Sequence, residues 1–281
     1  MIAQNVIMSV LIGIVITGVI PFIGGIILLV TGKIKGTSFW AGVLAYIISM
    51  IGITIVAAVM AVPLLDMMQN KPLMFAAIQA VLTGVCMAIS LGVCEGACMK
   101  NLTFNGALSC GLGFGIGYAV TAAIGFISMY VYFVMINNGQ FDQTYSNLIS
   151  QGLFTKEQVH EMKSQFTEFT FSDVIVQIVG SIALSAVLVA CAVFIMRGKC
   201  TKNLIVGILA SAIIISAGTI AIVIPNVIAQ IAVPAAIGIF AIVFALKMKE
   251  KVVQEEAPAV QDSFLRSIEN VKNNDDNGDN V

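Results

Sequence analysis

The chain has 281 residues, of which 59% are hydrophobic and only 10% charged, with a mean hydropathy of +1.00. Soluble domains carry roughly 25% charged residues, so composition excludes an ordinary soluble enzyme and points to one all-α, polytopic transmembrane helical bundle. Fourteen basic residues against fifteen acidic ones leave a net charge of −1, with the basic residues scattered in short connections, which gives no footprint for nucleic acid.

A helix crossing the hydrocarbon core needs about 20 apolar residues. Seven stretches meet that requirement, at about Val6–Val30, Ser38–Val62, Leu73–Cys94, Ala107–Met135, Val174–Met196, Leu204–Ile224 and Val227–Met248. Pro21 is expected to kink the first, and Pro63 to close the second. The fourth is long enough to tilt or to break near its glycines. The first stretch lacks a basic n-region and is longer than a signal-peptide core, so it reads as an uncleaved span.

Basic residues alternate in density along the connections. Lys33, Lys35, Lys100, Arg197, Lys199, Lys202, Lys247, Lys249, Lys251, Arg266 and Lys272 fall on one side, 11 of the 14; Lys71, Lys156 and Lys163 fall on the other. The positive-inside rule then sets the N-terminus outside and the C-terminus in the cytoplasm of a multi-pass cell-membrane protein. Residues 1–251 form the bundle and 252–281 an acidic, Asn-rich tail, helix-prone at Ser263–Val271 and disordered beyond. The interval 137–172 is the main external element. Thr155-Lys156-Glu157-Gln158 has capping-box spacing and opens a short amphipathic helix to about Phe166, whose phenylalanine-rich surroundings place it on the membrane surface or as a lid on the bundle.

Chemistry concentrates in 92–123, GVCEGACMKNLTFNGALSCGLGFGIGYAVTAA. Glu95 is the one carboxylate within an otherwise apolar stretch. Such a group marks a functional site by default, although Lys100 five residues on offers a plainer role as an ion-pair partner at the water boundary. Gly111, Gly113, Gly115 and Gly117 form two overlapping small-xxx-small pairs; without a strand–turn–helix unit they read as helix-packing positions rather than a dinucleotide loop. Of the six cysteines, Cys94, Cys98 and Cys110 with Glu95 allow a metal or redox site on paper, but no CxxC spacing supports it. The only histidine, His160, lies in the external interval, which removes Ser-His and HExxH chemistry from the bundle.

Across the membrane region the chain resembles the YhfC family of intramembrane metalloproteases, distantly CAAX-protease-like. The cues are VIPF in the first segment, then GVCEGACMK followed by GALSCGLGFGIGYAVTA, with LIVGILASAIIIS later. The resemblance implies a seven-helix bundle with paired glutamates and a nearby arginine, a GxGHGGxE-like helix and a further histidine. Here Glu95 stands at the first glutamate and Gly96 at the second, while Met99, beside Lys100, stands near the arginine. Phe114 and Tyr118 replace the histidine and glutamate of the next helix; Ser211 and Ile215 stand at the later histidine and acidic positions. The resemblance therefore implies a degenerate site, with Glu95, Lys100, Phe114, Tyr118 and Ser211 as its remnants, no catalytic residue and no metal ligand. The function it implies is that of a catalytically inactive protein that binds a membrane peptide, a lipid or a regulated membrane protein, with no cofactor. An active zinc peptidase with an unorthodox site, a small-molecule transporter and a structural subunit are the alternatives.

Overall fold

The computed structural model describes residues 2–98, 103–201, 203–221 and 226–248; the expected tail helix and Lys100 lie outside them. The described residues are helical throughout apart from short connections, and the protein is an integral membrane protein by the length and apolarity of its helices. Nine helices are described: α1 (Gln4–Val30), α2 (Gly36–Asn70), α3 (Pro72–Cys98), α4 (Phe104–Asn137), α5 (Gln140–Ser150), α6 (Lys156–Thr167), α7 (Phe171–Cys200), α8 (Leu204–Ala221) and α9 (Val227–Met248). Six of them, α1 to α4, α7 and α9, are long and apolar enough to cross a membrane, and α8 contributes a shorter apolar helix over Leu204–Ile220. Chain contacts divide the protein into Met1–Ile242 and Val243–Val281; the second unit is described only as the end of α9.

One proline expectation needs correction. Pro63 does not close α2, which runs on to Asn70. A proline inside a membrane helix frees one backbone carbonyl, and local adjustment of neighbouring groups re-satisfies it. Pro21 acts just upstream of itself: Val15–Val19 is a π-helical turn in which the Ile20 amide reaches back to the Val15 carbonyl. The wider turn gives the pyrrolidine ring room that an α-turn denies it. Buried Thr17 adds a hydroxyl bond to the Gly13 carbonyl at 2.7 Å. The fourth segment is not broken at its glycines, since α4 is continuous from Phe104 to Asn137.

The large helices α2, α3, α8, α7 and α4 each pack along the next, and α4 returns to α2. Glycine makes the tightest of these seams. A Cβ placed on Gly113 would meet the Phe39 carbonyl oxygen, and one on Gly42 the Cys110 carbonyl oxygen, so α2 and α4 touch backbone to backbone. Gly117 continues that seam against the Tyr46 ring. Gly111 and Gly115 face the other way, with Cβ positions 2.7 Å from the Val189 carbonyl and 3.0 Å from the Ser185 carbonyl of α7. The two overlapping glycine pairs thus serve two partners on opposite faces of one helix. Gly238 seats α9 on Ala183 of α7 in the same manner.

The polar interval folds as a cap. α6 opens on the expected capping box, Thr155 with Gln158, and α7 on a second built from Thr170 and Asp173. Helix α5 was not foreseen; it starts after Gly139, whose positive φ of 72° reverses the chain behind α4. The cap encloses an apolar cluster with Phe141 and Tyr145 of α5, Val159 of α6, Phe133 of α4, Val174 of α7 and Val6 of α1. Tyr132 stacks on Phe166 at 4.7 Å, and Asn137 brackets the Ile2 backbone with two hydrogen bonds. The Lys163–Asp142 ion pair, 2.6 Å long, joins α6 to α5 but is partly exposed, so packing rather than charge holds the cap.

Burial, with a hydrogen bond to Tyr132 second, pushes the Tyr145 hydroxyl up to about 12. The folded cap therefore holds its proton more tightly than the unfolded chain, whose tyrosine titrates near 10. This contribution is complete below pH 10 and is lost as pH rises from about 10 to 12. Limited proteolysis across that range should show the cap opening in the wild type, and a Tyr145→Phe variant should show a flatter dependence. Identical profiles would remove Tyr145 as the cause.

Candidate functional site

Glu95 lies in the last turn of α3. Gly92, one turn earlier on the same face, would place a Cβ 2.7 Å from Ile208 of α8 and 3.9 Å from Ile195 of α7, so this face of α3 looks onto both helices. The Glu95 side chain is fully buried, 0% exposed, and neither carboxyl oxygen has a hydrogen-bond partner among the described residues. Two groups of α7 lie within electrostatic reach, the Cys191 thiol and the Lys199 ammonium. The Lys199 Nζ donates instead to the backbone carbonyl of Glu95, at 3.3 Å. Cys191 and Ser211 are tied reciprocally: the Ser211 hydroxyl donates to the Cys191 carbonyl at 3.4 Å, and the thiol to the Ser211 carbonyl at 3.9 Å. Glu95 and Ser211 thus share one neighbourhood, through Cys191, at the α3/α7/α8 junction.

Phe114 and Tyr118 belong elsewhere. They are on α4, which touches α3 at few points although the two are consecutive. Phe114, fully buried, packs edge-on against Tyr46 of α2 with ring centroids 5.5 Å apart. Tyr118 lies beside Tyr46 and near Ser181 of α7. The five remnant residues therefore divide: Glu95 with Ser211, Phe114 with Tyr118 around Tyr46, and Lys100 outside the described residues. Among the described residues, no three of His, Cys, Asp and Glu converge as a metal-binding group. Cys86, Cys94, Cys110, Cys191 and Cys200 form no disulfide, and His160 is exposed on α6.

Tyr46 leads to a feature that the sequence reading passed over. It lines a half-open cleft of about 470 Å³ between α1, α2 and α4, whose wall is almost wholly apolar. Exposed Phe22, Ile26, Trp40 and Ile47 rim the cleft, and Thr121 lies at its wall. The Tyr46 hydroxyl is buried and lies beside Thr121 without meeting hydrogen-bond geometry; Thr121 bonds instead to the Gly117 carbonyl at 3.2 Å. A second apolar cleft of about 280 Å³ runs along the other side of the same half of α1, between Pro21, Gly25, Leu112 and Val189. Ile116 lines both. Between them, Gly25 is the only buried residue of Ile20–Val30. The signal in the sequence was Tyr46 itself, one phenol in a long apolar run, because a buried tyrosine hydroxyl ordinarily requires a partner.

No family model, curated protein or solved structure matches this chain. What the two sites can do therefore rests on their own geometry. The α3/α7/α8 junction offers a carboxyl with open acceptor positions beside a thiol, a hydroxyl and an ammonium. The α1/α2/α4 cleft offers an almost wholly apolar volume beside the Tyr46 ring.

Proposed function

We propose that this protein is a non-catalytic membrane bundle of the YhfC type that binds a lipid or membrane-peptide side chain in a laterally open cleft. The observation that carries the reading is the cleft itself, about 470 Å³, half-open and walled almost wholly by apolar side chains of α1, α2 and α4. Pockets that take small apolar ligands have this composition, mostly hydrophobic with few fixed polar groups. Glu95 and Ser211 lie apart from Phe114 and Tyr118, which counts against the alignment that placed all four in one site, so the binding reading rests on the cleft and not on those positions.

Native mass spectrometry of the gently extracted full chain tests this. One retained lipid or peptide adduct is expected for the wild type and its loss in Val120→Phe, which fills the cleft. Stoichiometric zinc that disappears in Glu95→Gln, together with chelator-sensitive peptide hydrolysis, would replace the reading with a peptidase.

A further inference from the structure

We infer that the α1/α2/α4 cleft and the turn above it form one site for an anionic phospholipid, with an acyl chain in the cleft and the phosphate on Lys33 and Lys35. This rests on the reading that the cleft binds a membrane ligand, and it names the class of ligand.

The turn between α1 and α2 closes the end of the cleft. Leu29, near the end of α1, and Phe39 and Trp40, early in α2, all line the cleft, so residues 31–35 sit over it. That turn is built rather than loose. Gly32, with φ of 67°, ends α1; its amide donates to the Leu29 carbonyl at 3.1 Å, and the Lys33 amide reaches the Leu28 carbonyl at 3.1 Å. This is the Schellman arrangement, and it turns the chain sharply outward. The Lys35 amide donates to the Ser109 hydroxyl at 3.0 Å, and its Nζ reaches the Thr103 hydroxyl at 3.4 Å, which fastens the turn to the start of α4. Lys33 is exposed. No acidic residue interrupts the stretch from Met1 to Pro63.

Two exposed lysines thus lie in the turn that joins the two helices on one side of the cleft, with an indole at the cleft rim. Trp40 is 63% exposed, as expected of an aromatic ring at headgroup level. Basic groups over a groove between membrane helices recognise anionic headgroups. A zwitterionic lipid would fill the same apolar volume, but its own ammonium gains nothing from Lys33 and Lys35. A peptide side chain would fill the volume without engaging both lysines.

Trp40 is the chain's single tryptophan, so its fluorescence reports the cleft mouth directly. The full-length protein is placed in phosphatidylcholine bilayers and titrated with phosphatidylglycerol or phosphatidylcholine carrying brominated acyl chains. A saturable quenching component is expected, half-complete at a roughly 25-fold lower fraction of the anionic lipid, since each of the two lysines near an anionic surface favours it by about a factor of five. In Lys33→Gln/Lys35→Gln that preference should fall to parity, and in Val120→Phe the saturable component should vanish. Equal saturation by both lipids, or a preference unchanged by removing the lysines, overturns the headgroup assignment while leaving a lipid-binding cleft. Quenching that merely tracks the brominated fraction, the same in Val120→Phe, overturns both.

Discussion

Replacing Gly113 by leucine should collapse the bundle, and replacing it by alanine should cost about 1–3 kcal/mol, whereas alanine at Gly125 should raise stability by roughly 0.5–1 kcal/mol. All three substitutions remove a helical glycine from α4, and on intrinsic propensity alone all three should help. Surroundings reverse the sign at one position. Around Gly125 nothing lies within 4 Å of an added Cβ. Around Gly113 the Cβ would fall 2.9 Å from the Phe39 carbonyl carbon and 3.2 Å from the Val43 amide nitrogen, in contact with its oxygen as well. Those atoms are backbone and cannot rotate away, so α2 must shift bodily. The shift also opens the reciprocal contact, where Gly42 meets the Cys110 carbonyl and the Phe114 amide. Apolar burial does not drive helices together inside a lipid bilayer, so close van der Waals packing of this kind carries more of the association than in water. Thermal unfolding in detergent, followed by the fraction remaining monodisperse, measures the order Gly125→Ala, wild type, Gly113→Ala, Gly113→Leu. Equal shifts for alanine at 113 and 125 would mean that the α2–α4 seam is not a stabilising contact.

Those glycines show which parts of the fold were legible in the sequence. Spacing of four marked Gly111/Gly115 and Gly113/Gly117 as packing pairs, because residues four apart share a helix face. It could not say that the pairs face different helices, since partner choice depends on how α2 and α7 are placed by the rest of the chain. Apolar run lengths located the long helices well, with ends a few residues off. Proline misled at Pro63, where the helix continued, while the helix before Pro21 does depart from α geometry, as a π-turn. Helix α5 escaped because QFDQTYSNLIS has low overall hydrophobicity, and its ordering comes from Phe141 and Tyr145 packing into a cluster contributed by four other helices. The candidate site was less legible still. Glu95 was visible as a lone carboxylate, but Lys199 and Cys191, about a hundred residues away, become its neighbours only through the α3/α7/α8 junction. The cleft needed the exposed half of α1, which reads in sequence like any other lipid-facing stretch.

Glu95→Met should make the protein more stable, by about 1–3 kcal/mol. Methionine approximates the length of glutamate, is unbranched and adapts to irregular surroundings, so it fills the same space without strain. The wild-type carboxyl occupies that space with both oxygens buried and unpartnered, which is an unfavourable arrangement in a charge-poor interior. Lys199 does not depend on the carboxyl for its hydrogen bond, because the acceptor at 3.3 Å is the Glu95 backbone carbonyl, which methionine retains. The Cys191–Ser211 pair is likewise made through backbone carbonyls and survives the change. Stability is therefore expected to rise while every described contact of the junction persists. The rise should leave the saturable quenching of Trp40 by brominated lipid unaltered, since the cleft is lined by α1, α2 and α4 and the junction by α3, α7 and α8. A fall in the unfolding midpoint would show instead that the carboxylate and Lys199 hold α3 against α7 by charge. A rise accompanied by loss of lipid saturation would show that the two sites communicate, through Tyr118, which lies beside Tyr46 and near Ser181 on α7.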